Sequence, residues 1–143
     1  MNAEDFEIMN IQIEHRNPTL REYQILRGST GWEDLDDTTV EKGLENSLFA
    51  VCAIAGGQTV GIGRIIGDGA IYFYIQDVIV MPAFHKMGIG DRIMRELEEW
   101  LNKNTYRHSF IGLMAAEGVK DFYTRFGYLE RGSSRPGMNK LRK

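Results

Sequence analysis

The chain has 143 residues, 43% hydrophobic and 26% charged, which is typical of an ordinary globular domain and excludes a disordered or collagen-like chain. Its net charge of −3 argues against nucleic acid as a partner, because nucleic-acid binders carry a basic surface. The single cysteine excludes an internal disulfide, and the longest apolar run, residues 48–55, is much shorter than the roughly 20 residues of a membrane helix.

These properties also carry expectations about organisation and location. Residues 1–10 are acidic and lack an apolar stretch, so we expect no signal peptide. No linker, repeat or low-complexity tract interrupts the chain, so we expect residues 1–143 to form a single domain. A lone thiol suits a reducing compartment, and we therefore expect a cytoplasmic protein with no membrane partner.

The N-terminal part predicts one strand and two helices. Apolar and polar residues alternate over residues 9–13, a period typical of a half-buried strand. Asn17-Pro18 predicts an N-cap followed by proline at the first helical position, in a helix that ends at Gly28. Residues 38–41, Thr-Thr-Val-Glu, fit a capping box at the start of a second, short helix.

Three strands and one strong helix are predicted in the middle of the chain. The strands are Leu48–Ala55, Thr59–Ile66 and Ala70–Val80, and the glycine-rich turns between them predict antiparallel hairpins. Apolar residues then recur at helical spacing from Ile89 to Leu101. The remaining predicted elements are a strand at Ser109–Met114, a short helix at Gly118–Phe126, and weak strands at 128–130 and 137–141.

This order predicts an α+β fold of the three-layer type. The sheet is mixed and mainly antiparallel, with helices on both faces. A strand, a helix and a strand in succession usually form a right-handed crossover, so strands 70–80 and 109–114 should lie parallel.

One segment predicts a site, the anion-binding loop at residues 85–91. It joins a buried strand to the strongest helix, and Gly88 and Gly90 allow a ligand close to the main chain. Unpaired N–H groups at a helix N-terminus attract phosphate, and Lys86 adds positive charge. Neither the P-loop nor the dinucleotide fingerprint fits, and a tight turn with glycines for packing alone stays open as the alternative. The second glycine pair, Gly61 and Gly63, lies inside a strand and predicts close packing only.

Two segments resemble the GCN5-related N-acetyltransferase (GNAT) superfamily. Residues 85–90, His-Lys-Met-Gly-Ile-Gly, are similar to its Gln/Arg-x-x-Gly-x-Gly/Ala motif for acetyl-CoA. Residues 121–128, Asp-Phe-Tyr-Thr-Arg-Phe-Gly-Tyr, are similar to its "FYxxxGF" segment. The helix and strand between the two segments also match the superfamily's order, and the resemblance covers nearly the whole chain.

The resemblance implies acetyl-CoA as cosubstrate and assigns residues to it. Main-chain groups of the strand end would meet the pantetheine arm and the thioester carbonyl, and Tyr123 would be the general acid for the departing thiolate. His85 stands where the family has Gln or Arg, and Ala116 stands where many members have an asparagine. The implied cofactor-binding residues are Val78, Ile79, Val80, His85, Lys86, Met87, Gly88, Ile89, Gly90 and Asp91.

The resemblance also implies the reaction, direct attack of a primary amine on acetyl-CoA within a ternary complex. A small molecule is the expected acceptor, with a non-catalytic CoA-binding sensor module or a protein N-acetyltransferase as alternatives. Asp77 is the candidate base, and a structural hydrogen bond at a strand irregularity is its alternative role. The early loop usually borders the acceptor site in the family, and here it carries Glu33, Asp34, Asp36 and Asp37, with an acidic loop that merely faces solvent as the alternative.

The other titratable residues predict no further site. The spacing of His15, His85 and His108 fits no metal site, so none is expected. Cys52, in an apolar strand, is expected to be a buried hydrophobic residue. Many members of the superfamily pair through sheet edges or terminal strands, so the resemblance makes a homodimer compatible with this chain.

Overall fold

The structure is a computed structural model that describes residues 10–143. Its contacts divide the chain into two compact units, one ending at Ile111 and one comprising Gly112–Lys143. The first unit holds strands β1 to β4, helices α1 to α3 and most of β5, and the second holds α4. The bounds are β1 Gln12–Glu14, α1 Leu20–Gly28, α2 Asp37–Glu45, β2 Phe49–Ala55, β3 Gln58–Gly67, β4 Tyr72–Val80, α3 Ile89–Asn104, β5 Phe110–Gly112 and α4 Lys120–Thr124.

The five strands form one mixed sheet in the order β1-β2-β3-β4-β5. The first four are antiparallel neighbours, and β5 is parallel to β4. This arrangement confirms the predicted fold class and the predicted crossover. The predicted strand over residues 9–13 is represented by β1, while Met9 lies outside the described residues.

Helices cover both faces of the sheet. On one face, Tyr23 and Leu26 of α1 and Val40 of α2 pack with Cys52 and Ile62 in a buried cluster. On the other face, α3 contacts β2, β3 and β4. The residues buried along α3 are Ile89, Ile93, Met94, Leu97 and Leu101, which confirms the predicted helical pattern.

The glycine pair in β3 explains how α3 comes so close. A Cβ atom added to Gly63 would lie 2.6 Å from Cγ2 of Ile93, and one added to Gly61 would lie 3.0 Å from Cδ1 of the same side chain. A side chain at residue 63 would force Ile93 to move and one at residue 61 would crowd it, so both glycines serve close packing, as the sequence predicted.

The predicted start of α1 was wrong. Thr19, rather than Asn17, is the N-cap, and it forms a reciprocal capping box with Glu22. The Asn17 amide instead donates to the carbonyl of Leu44 at 2.9 Å. A capping box satisfies two helix N–H groups, whereas Asn17 alone would satisfy one, and this favours the later start.

The predicted capping box of α2 was also wrong. Asp36 is the N-cap, and its carboxylate accepts from the N–H of Thr39 at 2.7 Å. Hydrogen bonding from the side chain and then the main chain of Thr39 lowers the pKa of Asp36, because it favours the charged form. A carboxylate at a helix N-terminus also gains from the helix dipole, which a threonine hydroxyl at residue 38 does not.

The second unit differs most from the sequence prediction. Its helix is shorter than the predicted 118–126, and residues 128–130 and 137–141 form no strand in the described chain. The apolar side chains there are exposed, 86% for Leu129 and 84% for Met138. Short runs next to Gly132 and Pro136 gain too little burial to form strands on their own. In the described part of the chain, no helix combines the length and apolar character needed to span a bilayer.

Candidate active site

A β-bulge interrupts β4 just before the residues predicted to meet the cosubstrate. Gln76 pairs with Arg64 and Ile79 with Ile62, so Asp77 and Val78 together oppose one residue of β3. Asp77 has a left-handed backbone, with φ of +55°. A bulge shifts the alternation of side chains by one position, and it leaves main-chain groups outside the regular ladder. The strand irregularity considered for Asp77 is therefore present.

Contacts on each side of the bulge show this shift. Before it, Phe73 lies against Trp100 of α3, with ring centroids 6.2 Å apart. After it, Ile79 belongs to the buried cluster beneath α1. Both residues have odd numbers, so a regular strand would have placed them on the same face.

Strand β5 pairs with the outer edge of β4 near the start of β4. Phe110 of β5 donates to the carbonyl of Ile71 at 2.7 Å, and β5 ends two residues later at Gly112. A three-residue strand cannot extend alongside all nine residues of β4, so Ile79 and Val80, which pair with β3 on one side, lie beyond the end of β5 on the other. Main-chain groups there are placed to receive an extended ligand arm, as β-strand addition requires.

The chain turns sharply between β4 and α3. Residues Pro82–Phe84 form a 3₁₀ turn, and the carbonyl of Val80 accepts from His85 Nε2 at 2.6 Å. Lys86 has a left-handed backbone, with φ of +63°. His85 therefore holds the anion-binding loop to the end of the strand, a role that its place in the motif did not predict.

Helix α3 begins with its N–H groups uncovered by any capping side chain. Gly88 is the N-cap with φ of +79°, and no side chain caps the helix. The first intrahelical bond joins the N–H of Arg92 to the carbonyl of Gly88 at 3.1 Å. A Cβ atom added to Gly88 would meet nothing within 4 Å, so the space beside the loop is open. An uncapped helix start with open space beside it suits a phosphate group.

Asp77 lies in a network of polar side chains, which we call the Asp77 network. Its Oδ2 accepts from Arg64 Nη1 at 2.8 Å and from the Tyr23 hydroxyl at 3.0 Å. Arg27 Nη1 lies 4.0 Å from Oδ1. Burial and the nearby Asp77 charge raise the pKa of Tyr23 above its usual range. Because cations engage the Asp77 carboxylate, its contacts favour a structural role, and its role as base stays a prediction.

The acidic loop is partly committed to local structure. Asp36 caps α2, and Asp37 accepts from the Gln24 side chain at 3.2 Å. The main-chain carbonyl of Glu33 accepts from Arg27 at 2.9 Å. Asp34 and Glu33 keep exposed side chains that can attract a cationic acceptor.

Tyr123 lies in the second unit, at the end of α4. Its ring packs edge-on against Phe122, with centroids 5.0 Å apart, and its carbonyl accepts from the N–H of Phe126. Burial raises the pKa of Tyr123 above its usual range, so the phenol stays protonated at neutral pH. Its role as general acid stays a prediction.

The remaining candidates have structural roles. Cys52 is fully buried, and burial raises the pKa of its thiol to about 11, which confirms the predicted hydrophobic role. His15 pairs with Glu96 at 2.8 Å, and His108 occupies a left-handed turn position. Within residues 10–143, no three His, Cys, Asp or Glu side chains come together as a metal site.

Sequence reasoning did not single out Tyr23 or Arg64. The signal for Arg64 was available, since a charged residue in the apolar run of β3 must find a partner if it is buried. Which carboxylate it would meet could not be read from the sequence, because Asp77 lies on the neighbouring strand.

Comparison with known proteins agrees with this geometry. The model of the "Acetyltransferase (GNAT) domain" matches residues 25–138. The uncharacterized N-acetyltransferase ycf52 of Pyropia yezoensis is 28% identical over 128 residues, covering 87% of this chain and 72% of that protein. N-alpha-acetyltransferase 20 of Dictyostelium discoideum is 32% identical over 88 residues, covering 57% of this chain and 50% of that protein.

A solved structure shares the whole fold. The crystal structure of a protein of unknown function from meticillin-resistant Staphylococcus aureus, described as a probable acetyltransferase, superposes with a TM-score of 0.87. It is 26% identical and covers 92% of this chain and 99% of its own.

The matched family, the named relatives and the shared fold together define an acyltransferase that uses acetyl-CoA. The chain belongs to the GNAT acetyltransferase family, and it is an acetyl-CoA-dependent N-acetyltransferase.

Proposed function

We propose that the protein transfers the acetyl group of acetyl-CoA to the primary amine of a small molecule, by direct attack in a ternary complex. The observation that carries this proposal is the path from the bulged β4, through a turn, to the uncapped glycine-rich start of α3. That path offers main-chain groups to an extended thioester arm and N–H groups to a diphosphate, the two parts by which coenzyme A is held.

The anion-binding loop is the site we propose for the diphosphate. The N–H groups at the start of α3 would donate to its oxygens, with Lys86 adding charge and the motif residues Met87, Ile89, Gly90 and Asp91 supplying the backbone. His85 would act indirectly, through its bond to Val80. Binding here then depends on the backbone path rather than on any single side chain.

Val78, Ile79 and Val80 form the proposed site of the thioester arm. A main-chain N–H at this point would face the carbonyl oxygen, which becomes negative when the amine attacks. One preorganised donor of this kind stabilises such an oxyanion by about 3–4 kcal/mol. The bulge supplies that donor, because it takes main-chain groups out of the β3–β4 ladder.

Tyr123 is the proposed donor of the proton that the departing thiolate takes up. An ordinary tyrosine has a pKa of about 10 and a thiol about 8.5, so this transfer is uphill by about 2 kcal/mol. Burial raises the pKa of Tyr123 further. The higher pKa makes the proton transfer harder, but it keeps the phenol fully protonated before the reaction. The phenolate regains a proton from solvent after the thiol leaves.

The acceptor must lose a proton before it attacks. An amine with a lysine-like pKa near 10.4 is only about 0.04% neutral at pH 7. Asp77 was the predicted base, but its carboxylate already accepts two hydrogen bonds. The exposed charges of Glu33 and Asp34 would raise the local concentration of the cationic amine without removing its proton.

A protein acceptor is the second candidate, and one observation favours it. The Dictyostelium discoideum relative that shares 32% identity is named N-alpha-acetyltransferase 20, and a free alpha-amino group is what a peptide carries at its N-terminus. A free peptide N-terminus has a pKa of about 8, so it needs less help to lose its proton than a lysine-like amine does.

Release of free CoA from acetyl-CoA tests the proposal. The assay has two arms, a panel of small primary amines and a panel of short peptides with free N-termini. Turnover with the small amines supports the proposal, whereas turnover with peptides alone supports a protein acceptor. Calorimetric binding of CoA without turnover in either arm would mark the protein as a CoA-binding sensor.

Two further expectations belong with this proposal, a cytoplasmic location and a homodimer. Sedimentation of the purified protein tests the second, with a mass near twice the 16.3 kDa of one chain as the expected result.

A further inference from the structure

Arg64 is the only charged residue that is buried among residues 10–143, with 8% of its surface exposed. Its side chain joins two parts of the fold, the C-terminal end of α2 and strand β4, through three hydrogen bonds. Nε donates to the Ser47 hydroxyl at 2.9 Å, Nη1 to Asp77 Oδ2 at 2.8 Å, and Nη2 to the Gly43 carbonyl at 2.8 Å. A planar guanidinium with fixed donor directions can hold three such partners at once, whereas an ammonium group cannot.

The partner that matters for chemistry is Asp77. It occupies the bulge of β4 with a left-handed backbone, a conformation that costs a non-glycine residue free energy and persists only when the surroundings enforce it. Arg64 and the Tyr23 hydroxyl both bond its Oδ2 and so fix the carboxylate from two sides. The next residue in the chain is Val78, the first of the three proposed to meet the thioester arm.

We propose that Arg64 is a positioning residue for acetyl transfer: by holding the Asp77 carboxylate it sets the bulge, and through it the direction of the main-chain groups at residues 78–80. This inference rests on the proposed function. It also gives the Asp77 network a use other than proton removal from the amine.

The anion-binding loop and residues 78–80 are separate segments of the proposed binding site, and this makes the inference testable. The N–H groups of the anion-binding loop belong to the first turn of α3, and the loop is linked to residues 78–80 through the hydrogen bond from His85 to the Val80 carbonyl. Loosening the bulge should therefore impair the chemical step more than it weakens CoA binding, because most of the diphosphate contacts come from the start of α3. A residue with a purely structural role would lower the folded fraction without this separation.

Arg64→Lys is the main variant, because it keeps the positive charge and removes the three-way hydrogen bonding. We expect kcat to fall by about tenfold to a hundredfold, the effect of a misplacement of about 1 Å at the reacting group. The Kd for CoA, measured by calorimetry, should stay within about threefold, and the stoichiometry of binding counts the folded sites. Arg107→Lys, at an exposed position between α3 and β5, is the matched control and should change neither value.

Tyr23→Phe tests the same network if Arg64→Lys does not fold. It removes one of the two hydrogen bonds to Oδ2 and leaves Arg64 in place, so kcat should fall by about threefold to tenfold. The inference is overturned if kcat per bound CoA stays within twofold of the wild type in every variant that folds, or if KM and Kd change while kcat does not. Absence of CoA release by the wild-type protein with any amine would instead refute the proposed function, and the inference with it.

Discussion

Substitutions at Gly88 test the anion-binding loop most directly. Gly88 has φ of +79°, and a Cβ atom there would meet nothing within 4 Å. Alanine, glutamate and lysine, none of which is β-branched, should therefore have similar backbone strain at this position, about 1–2 kcal/mol, with no steric clash in the free protein. Gly88→Ala, Gly88→Glu and Gly88→Lys should be destabilised to a similar extent, so differences in CoA binding between them report on charge and size.

Coulomb's law gives the expected magnitude for Gly88→Glu. Two unit charges about 5 Å apart repel by about 1 kcal/mol in water and about 3 kcal/mol at a protein surface with an effective dielectric constant near 20. A diphosphate presents at least two such charges to a loop that is open to solvent, so we expect a loss of about 2–4 kcal/mol. That corresponds to a Kd for CoA raised about 30-fold to 1,000-fold relative to Gly88→Ala.

Calorimetric titration of CoA into the three variants measures these values, and urea unfolding of each variant checks that the strain is equal. Gly88→Lys has a bulky side chain of opposite charge, so its Kd should be much closer to that of Gly88→Ala than to that of Gly88→Glu. Equal weakening by glutamate and lysine would show that bulk matters and charge does not. Binding as tight in Gly88→Glu as in the wild type would remove the loop from the binding site.

The other predictions concern Tyr123 and the stability of the fold. Tyr123→Phe should lower kcat at least tenfold with the Kd for CoA unchanged, and an unaltered kcat would exclude Tyr123 as the acid. Burial raises the pKa of Tyr123, so below about pH 10 the phenol should not lose its proton and should cause no fall in kcat. A pH profile of kcat for wild type and Tyr123→Phe measures this. The hydrogen bond from Arg16 is the main cause that lowers the pKa of Glu22 to about 2. Because solvent around Arg16 weakens this interaction, we expect Glu22→Gln to lower the free energy of unfolding by about 1–2 kcal/mol at pH 7. The lowered pKa of Glu22 stabilises the fold at pH values above the unfolded-state pKa near 4.5, and this stabilisation is lost as the pH falls towards 2. Free energies of unfolding from urea titrations of wild type and Glu22→Gln should therefore converge near pH 2. A difference that persists at pH 2 would show that the Arg16–Glu22 interaction is not its cause. Gly63→Ala should destabilise by about 1–3 kcal/mol in the same assay, because its new methyl group would overlap Ile93, and an unchanged midpoint would show that α3 can shift away at no cost.

Local patterns in the sequence were enough for the fold class and for much of the proposed site. The apolar spacing of α3 and the ion pairs Asp91–Arg95 and Glu99–Lys103 are relations within one helix, and both pairs are present in the structure. The glycine-flanked hairpins fixed the antiparallel order of β2 to β4 because such turns leave few alternatives. The start of α3 was predictable because it too depends on neighbouring residues. A helix N-terminus after a glycine-rich turn exposes its N–H groups whatever surrounds it.

Element ends were predicted less well, because several residues can compete for one role. Asn17 and Thr19 can each cap a helix, as can Asp36 and Thr38, and the choice depends on which second hydrogen bond each one makes. The expected strands near the C-terminus had neither a strong pattern nor a partner that the sequence could identify.

Only the tertiary structure could reveal the Asp77 network. Arg64 lies 13 residues from Asp77, and Tyr23 lies 54 residues from it, on another element. Their contact depends on the register of β3 with β4 and on how α1 lies across the sheet. A bulge of one residue decides on which face of the sheet the Asp77 side chain lies. The sequence by itself determined which segments form the main helices and strands, and that a helix begins after the glycine-rich turn, since those depend on neighbours along the chain. The burial of Arg64 beside Asp77 depends on packing between distant segments, so only the tertiary structure could establish it.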